Sequence, residues 1–225
     1  MVKLSGVPRS FHGLVTIALV LALGEACAVR QVARTVGAGR TEVGVIVGGP
    51  LQSNLGFPAP IPEHRVHVRG GLTDDLDLDG SIAMGPLTSA ILAFDVGFVA
   101  QIVRLPRFAA SGSIRLNCIY DLDDGFRDTY YPEVGLHLEQ RVERWLGLIT
   151  GFGLLLQVSP ATEHPDLFFA PYLGVEFIVA EHGLSLALSW INPWQSSSSL
   201  VRWEPGGAGA IVVNFGWRIQ PGGVR

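Results

Sequence analysis

Between residues 90 and 104, Leu92, Phe94, Val96, Phe98 and Ile102 fall on one side of a two-residue alternation, and Asp95, Gly97 and Gln101 on the other. That period belongs to a strand with one apolar and one polar face, because successive side chains leave a β-strand on opposite sides. The pattern recurs. Val43, Val45 and Val47 oppose Glu42 and Gly44; Ile114, Leu116, Cys118 and Tyr120 oppose Arg115, Asn117 and Asp121; Val134, Leu136 and Leu138 oppose Glu133, His137 and Glu139. Stretches at 145–158, 167–180, 184–192 and 208–219 complete the series, the first two apolar on both faces. With the pair at 65–79, the spacing predicts about ten strands. The apolar runs at 90–103, 146–158 and 167–180 are 13 or 14 residues long, short of the roughly 20 that a membrane-crossing helix needs.

The connections alternate too. Those at 48–62, 85–89, 122–132, 159–166 and 193–207 are mostly long and polar or Pro-rich, whereas those at 70–74, 105–112, 141–144 and 181–183 are mostly shorter. Short turns at one end, long loops at the other and an even strand count describe an antiparallel up-and-down barrel with both termini at the short-turn end. The fold class read from the sequence is therefore all-β, with barrel residues 39–219 and a tail at 220–225.

One hairpin carries unusual charge. Arg65, His67 and Arg69 alternate with Val66 and Val68, residues 70–74 turn the chain, and Asp75, Asp77 and Asp79 alternate with Leu76 and Leu78. Three aspartates two apart, followed by Gly80, also resemble the opening of a calcium-binding loop, but its twelfth position, which should be a bidentate Glu, is Pro86. No metal is expected here. A three-residue turn would pair Arg69 with Asp75, His67 with Asp77 and Arg65 with Asp79 on one face, giving the aspartates cationic partners. Asp95, Arg115 and Glu176 fall on polar faces of other strands, which makes all nine residues candidates for one charge network.

Residues 1–26 read as an export signal: Lys3 and Arg9 precede an apolar run from Gly13 to Leu23. Ala26-Cys27-Ala28 fits ordinary cleavage after residue 28, while Cys27 after Ala26 fits a lipoprotein cleavage that leaves Cys27 to be acylated. The second is favoured, because a Cys directly after a signal region has few other uses; residues 27–38 then form a short linker. Composition agrees with export to a membrane: 48% hydrophobic, 16% charged and a mean hydropathy of +0.36. Formal net charge is −4, and loss of Lys3, Arg9 and Glu25 with the signal makes the mature chain one unit more acidic. Nucleic acid is excluded as a partner, since it demands a basic patch.

"GRTEVGVIVGG", "GLTDDLDLDG" and "AIVVNFGWRI" resemble segments of small β-barrel proteins of the Gram-negative outer membrane, over about residues 39–219. The chain departs from them at its end, where Phe215 and Trp217 are followed by Ile219 and "QPGGVR". The resemblance implies an outer-membrane location, lipid as surroundings, the barrel-insertion machinery as an assembly partner and no cofactor. It implies a structural, surface-binding or narrow-channel role, the ligand of the outer loops being unspecified. Tyr120, Tyr130, Tyr131, Trp145, Trp190, Trp194 and Trp217 lie near strand ends, where a membrane barrel places an aromatic girdle. The alternative is a soluble periplasmic barrel with the apolar face inward around an apolar ligand. Catalysis is not expected: His67 and His137 share faces with Asp77, Glu133 and Glu139, and Ser81, Ser185 and Ser189 are available to an acyl hydrolase, but no nucleophile elbow or metalloprotease motif occurs. The loop "NPWQSSSSLVRWEPGGA", with Trp194 and Trp203, is a candidate adhesive surface.

Overall fold

A computed structural model describes residues 32–52, 59–60, 63–84, 91–121, 129–156, 158, 167–191 and 210–221. Cys27, Trp194 and the serine-rich loop lie outside them. The strands are β1 (Thr41–Gln52), β2 (Ala59–Pro60), β3 (Glu63–Gly71), β4 (Leu76–Ala83), β5 (Ile91–Arg104), β6 (Phe108–Asp121), β7 (Thr129–Glu143), β8 (Leu146–Leu156), β9 (Leu167–Val179), β10 (His182–Ile191) and β11 (Ala210–Ile219). Each of β3 to β11 pairs antiparallel with the next, β3 returns to β1, and β1 pairs antiparallel with β11 from Val43↔Ile219 to Pro50↔Val212. Ten strands thus close a ring, and the two-residue β2 extends one side of β1. Closure leaves no free sheet edge, a requirement in a medium that cannot hydrogen-bond to backbone.

Burial decides which face is inside. Glu42, Arg69, Asp77, Asp79, Arg115, His137 and Glu139 are all at most 5% exposed, whereas Val68, Phe98, Ile114, Leu173 and Leu188 are 49–67% exposed. A water-soluble barrel would invert this arrangement. The soluble, ligand-carrying alternative is therefore corrected: the apolar face points outward and the charges inward, the layout of an outer-membrane β-barrel protein.

Two boundaries differ from the sequence reading. The β5–β6 turn is short, because β6 starts at Phe108 rather than near residue 113. Ala109, Ala110, Ser111 and Gly112 lack the large apolar side chains that announce a strand, yet they pair with β5 and β7. The β3–β4 register also differs: Arg69 faces Asp79, Gly71 faces Asp77 and His67 faces Ser81. The turn runs further down the hairpin and includes Asp75.

Candidate functional site

The inward positions of the ten strands bring their charges into contact. Arg69 donates from Nη2 to Glu42 Oε1 at 2.7 Å, and its Nε lies 3.5 Å from Asp77 Oδ2. Glu42 also meets Arg218 Nη1 at 2.5 Å across the β1–β11 seam, and Arg218 Nε donates to Glu176 Oε1 at 2.7 Å. Asp77, Arg69, Glu42, Arg218 and Glu176 therefore form one chain of alternating sign, with His67 Nε2 3.7 Å from Glu42. Two further groups lie on other parts of the wall. Arg115 bridges Asp79, at 3.2 Å, and Glu133, at 3.3 Å. Arg65 donates to Asp95 Oδ2 at 2.6 Å and to Ser81 Oγ at 2.9 Å, and Ser81 Oγ donates to the same Asp95 oxygen.

Of the nine residues expected to form the network, eight are placed in these groups. Asp75 is the correction: its side chain is 73% exposed in the β3–β4 turn, 3.9 Å from Arg104. Glu42 and Arg218 join without being among the nine, as does Glu133, which the sequence places on the face of His137. Their signal was present, since Glu42 alternates with Val43 and Val45 just as Asp79 alternates with Leu78.

The lumen holds more than side chains. Residues 32–36, within the stretch at 27–38 read as a short linker, run into it from the short-turn end, and Val32, Ala33, Thr35 and Val36 are 3–9% exposed. Five consecutive strands, β3 to β7, and Gln220 after β11 grip this segment. Val36 N–H donates to Asp77 Oδ2 at 2.9 Å, Arg69 Nη1 donates to the Arg34 carbonyl at 2.9 Å, and Gln101 accepts from Thr35 N–H at 3.0 Å. Gln101 Nε2 donates to the Ala33 carbonyl at 3.1 Å, Ser111 Oγ to the Val32 carbonyl, and Gln220 Nε2 to the Val36 carbonyl at 3.1 Å. Arg34 Nε donates to Glu139 Oε1 at 2.9 Å. The small residues at the start of β6 make room for this plug. Gly37 and Gly39, at φ 88° and 69°, turn the chain back into β1, a conformation that a side chain would oppose. Above the plug, the gap bounded by Val32, Glu42, Ile46, Ile149 and Asn214 encloses only about 40 Å³, room for a few waters.

A second constellation sits in the wall of β6, β7 and β9. Ser113 Oγ lies 2.8 Å from His137 Nε2, and Tyr172 Oη lies 2.8 Å from His137 Nδ1. A neutral imidazole accepts at one nitrogen and donates at the other, so the three form a directional relay of hydrogen bonds. Glycines clear the space: a methyl group on Gly135 would lie 2.5 Å from Ser113 Oγ, and one on Gly151 would lie 2.6 Å from Tyr172 Oη. A hydroxyl beside a base held by a third group is the geometry of an activated nucleophile, but the lumenal gap reaches Ile149 and does not include Ser113. Of the three serines available to a base, Ser81 belongs to the Arg65–Asp95 group, Ser189 Oγ accepts from Asn214 at 3.4 Å, and Ser185 lines the lumenal gap that His67 also borders.

Aromatic residues gather at both ends of the outer wall. Toward the long loops, Tyr120 stacks on Phe94 with ring centroids 5.6 Å apart and meets Tyr130 edge-on at 6.0 Å, and Trp190 is 43% exposed. Toward the short turns, Trp145 stacks on Phe177 at 6.1 Å and Trp217 on His182 at 5.9 Å. Tyr131 is the exception. It shares the inward alternation of Glu133 and His137 on β7, and its carbonyl accepts from Asn117.

No known protein family matches the sequence, and no curated protein matches it. Solved structures do resemble the fold. The outer membrane protease OmpT from Escherichia coli is 11% identical with a TM-score of 0.44, covering 80% of this chain and 95% of its own. An outer membrane channel from Pseudomonas putida F1 is 12% identical with a TM-score of 0.46, covering 86% and 100%. A bacterial polysaccharide outer membrane secretin is 10% identical with a TM-score of 0.39, covering 85% and 100%. The expectation that the chain is no enzyme is corrected by the first of these. A protease stands among the barrels whose fold it resembles.

Proposed function

We propose that this outer-membrane β-barrel protein is a channel of narrow bore that rests shut, with residues 32–36 as its stopper. The observation that carries the reading is the plug itself. It is held by polar side chains of β3, β4, β5, β6 and β7, so it forms part of the lumen's hydrogen-bonding scheme. Ten strands enclose an interior narrow enough for side chains to fill, and here a short peptide suffices to occlude what they leave. Lipid around the apolar wall and the barrel-insertion machinery during assembly are the partners this reading requires.

The test is conductance across a planar bilayer, comparing a refolded chain that begins at Val29 with one that begins at Gly39 and lacks the plug. We expect the first to be silent and the second to conduct in steps. Silence from both, with the unboiled protein still migrating as a folded barrel, would defeat the channel reading. The charged lumen would then be purely structural, with the long loops as the working surface.

A further inference from the structure

We infer that the short-turn mouth of the barrel is a binding site for a phosphate-type anion, seated between the plug and the wall. A cavity of about 390 Å³ opens there, and six of its lining residues are arginines: Arg34 and Arg40 from the plug side, and Arg69, Arg104, Arg141 and Arg218 from the strands. Asp74 is the one carboxylate among the lining residues. The volume lies within the range of small-ligand pockets.

The carboxylates nearest these arginines stand behind them. Glu42 and Glu176 hold Arg218, Glu42 and Asp77 hold Arg69, and one oxygen of Glu139 is shared by Arg34 at 2.9 Å and Arg141 at 2.8 Å. These contacts fix the guanidinium groups but do not exhaust their donors, because each guanidinium carries five N–H bonds and no acceptor. Arg34 Nη2 and Arg40 Nη1 are buried and have no hydrogen-bond partner among the described residues. Arg104 reaches the Asp74 carbonyl at 2.6 Å, but its nearest carboxylate, on Asp75, is 3.9 Å away. Buried donors left over cost free energy unless an acceptor arrives, and forked guanidinium groups match the oxygens of a phosphate two at a time.

The shared chemistry is a phosphate dianion or diester with several acceptor oxygens. Its source is either free phosphate reaching the mouth from the aqueous side or the headgroup of an anionic phospholipid in the adjoining leaflet. Leu105 and Pro106 at the rim of the cavity would suit the start of an acyl chain.

The experiment uses the refolded chain from Val29. Inorganic phosphate is titrated calorimetrically into protein in neutral detergent, and phosphatidylglycerol retention is read by native mass spectrometry from phosphatidylcholine nanodiscs. Saturable phosphate binding alone identifies a free anion as the ligand, retained phosphatidylglycerol alone identifies a headgroup, and both together identify a site open to each. Arg40→Gln and Arg104→Gln should each weaken whichever binding is seen by about 10- to 100-fold, the worth of a charge-assisted hydrogen bond. Asp74→Asn should strengthen it by about 2- to 5-fold by removing a repulsive charge, a sign that a purely structural effect would not produce. These residues lie outside the buried chain of ion pairs, and unboiled gel mobility verifies that each variant is folded. No saturable binding of either probe to the wild-type chain, or equal binding by all folded variants, overturns the inference. The result is independent of whether the barrel conducts.

Discussion

Glu42 accepts from Arg69 on β3 and from Arg218 on β11, with His67 a third neighbour, in a lumen where it is 1% exposed. Removing one member of a buried ion pair leaves its partners charged and dry, which costs about 3–5 kcal/mol. Val43, the next residue, projects outward and is 39% exposed. Glu42→Leu is therefore expected to lower the urea midpoint for loss of the fast-migrating unboiled band substantially, while Val43→Leu leaves it nearly unchanged. Equal midpoints would show that the lumenal ion pairs do not stabilise the barrel. At this scale the sequence was readable wherever a charge alternated with large apolar neighbours, as at Arg69, Asp79 and Arg115. It misled at Asp75, whose alternation with Leu76 is identical but which lies in a turn. The Ser113–His137–Tyr172 relay was illegible for a different reason: its members sit on three strands, and only the register between those strands makes them neighbours.

The strands show why the faces were readable before the pairing was. The expected β3–β4 register set Arg69 against Asp75, and the observed one sets it against Asp79. The displacement is an even number of residues, so every side chain keeps its face; an odd displacement would have turned the aspartates toward lipid. The start of β6 is hard to read from sequence because residues 109–112 are small rather than apolar, and the plug that explains those small residues carries no alternation of its own. The aromatic residues near the strand ends make a further prediction at this scale. Single-tryptophan variants retaining Trp145, Trp190 or Trp217 should be quenched more strongly by lipids brominated near the headgroup than by lipids brominated at the chain terminus. The opposite order would place these rings at mid-bilayer and remove the girdle.

Across the whole molecule, the seam between β1 and β11 joins the first strand to the last, and the Glu42–Arg218 pair spans 176 positions of sequence. The other strand pairings of the ring join neighbours along the chain, but the lumen is enclosed only when that seam closes. Loop-closure entropy must be met before the final pairing is gained, so folding should be slow and all-or-none. The same seam makes the backbone's continuity dispensable once the ring has formed. A protease cut within 192–209, between β10 and β11, would leave β11 bonded to β10 on one side and β1 on the other, from His182↔Ile219 to Ile191↔Ala210 and from Val43↔Ile219 to Pro50↔Val212. A barrel nicked there should run unboiled as one folded species and separate into two fragments only on boiling; release of the short fragment without heat would mean that the seam does not hold. Covalent connection would then be needed to build this protein but not to keep it, and the long loops could be lost to digestion while the wall stays in place.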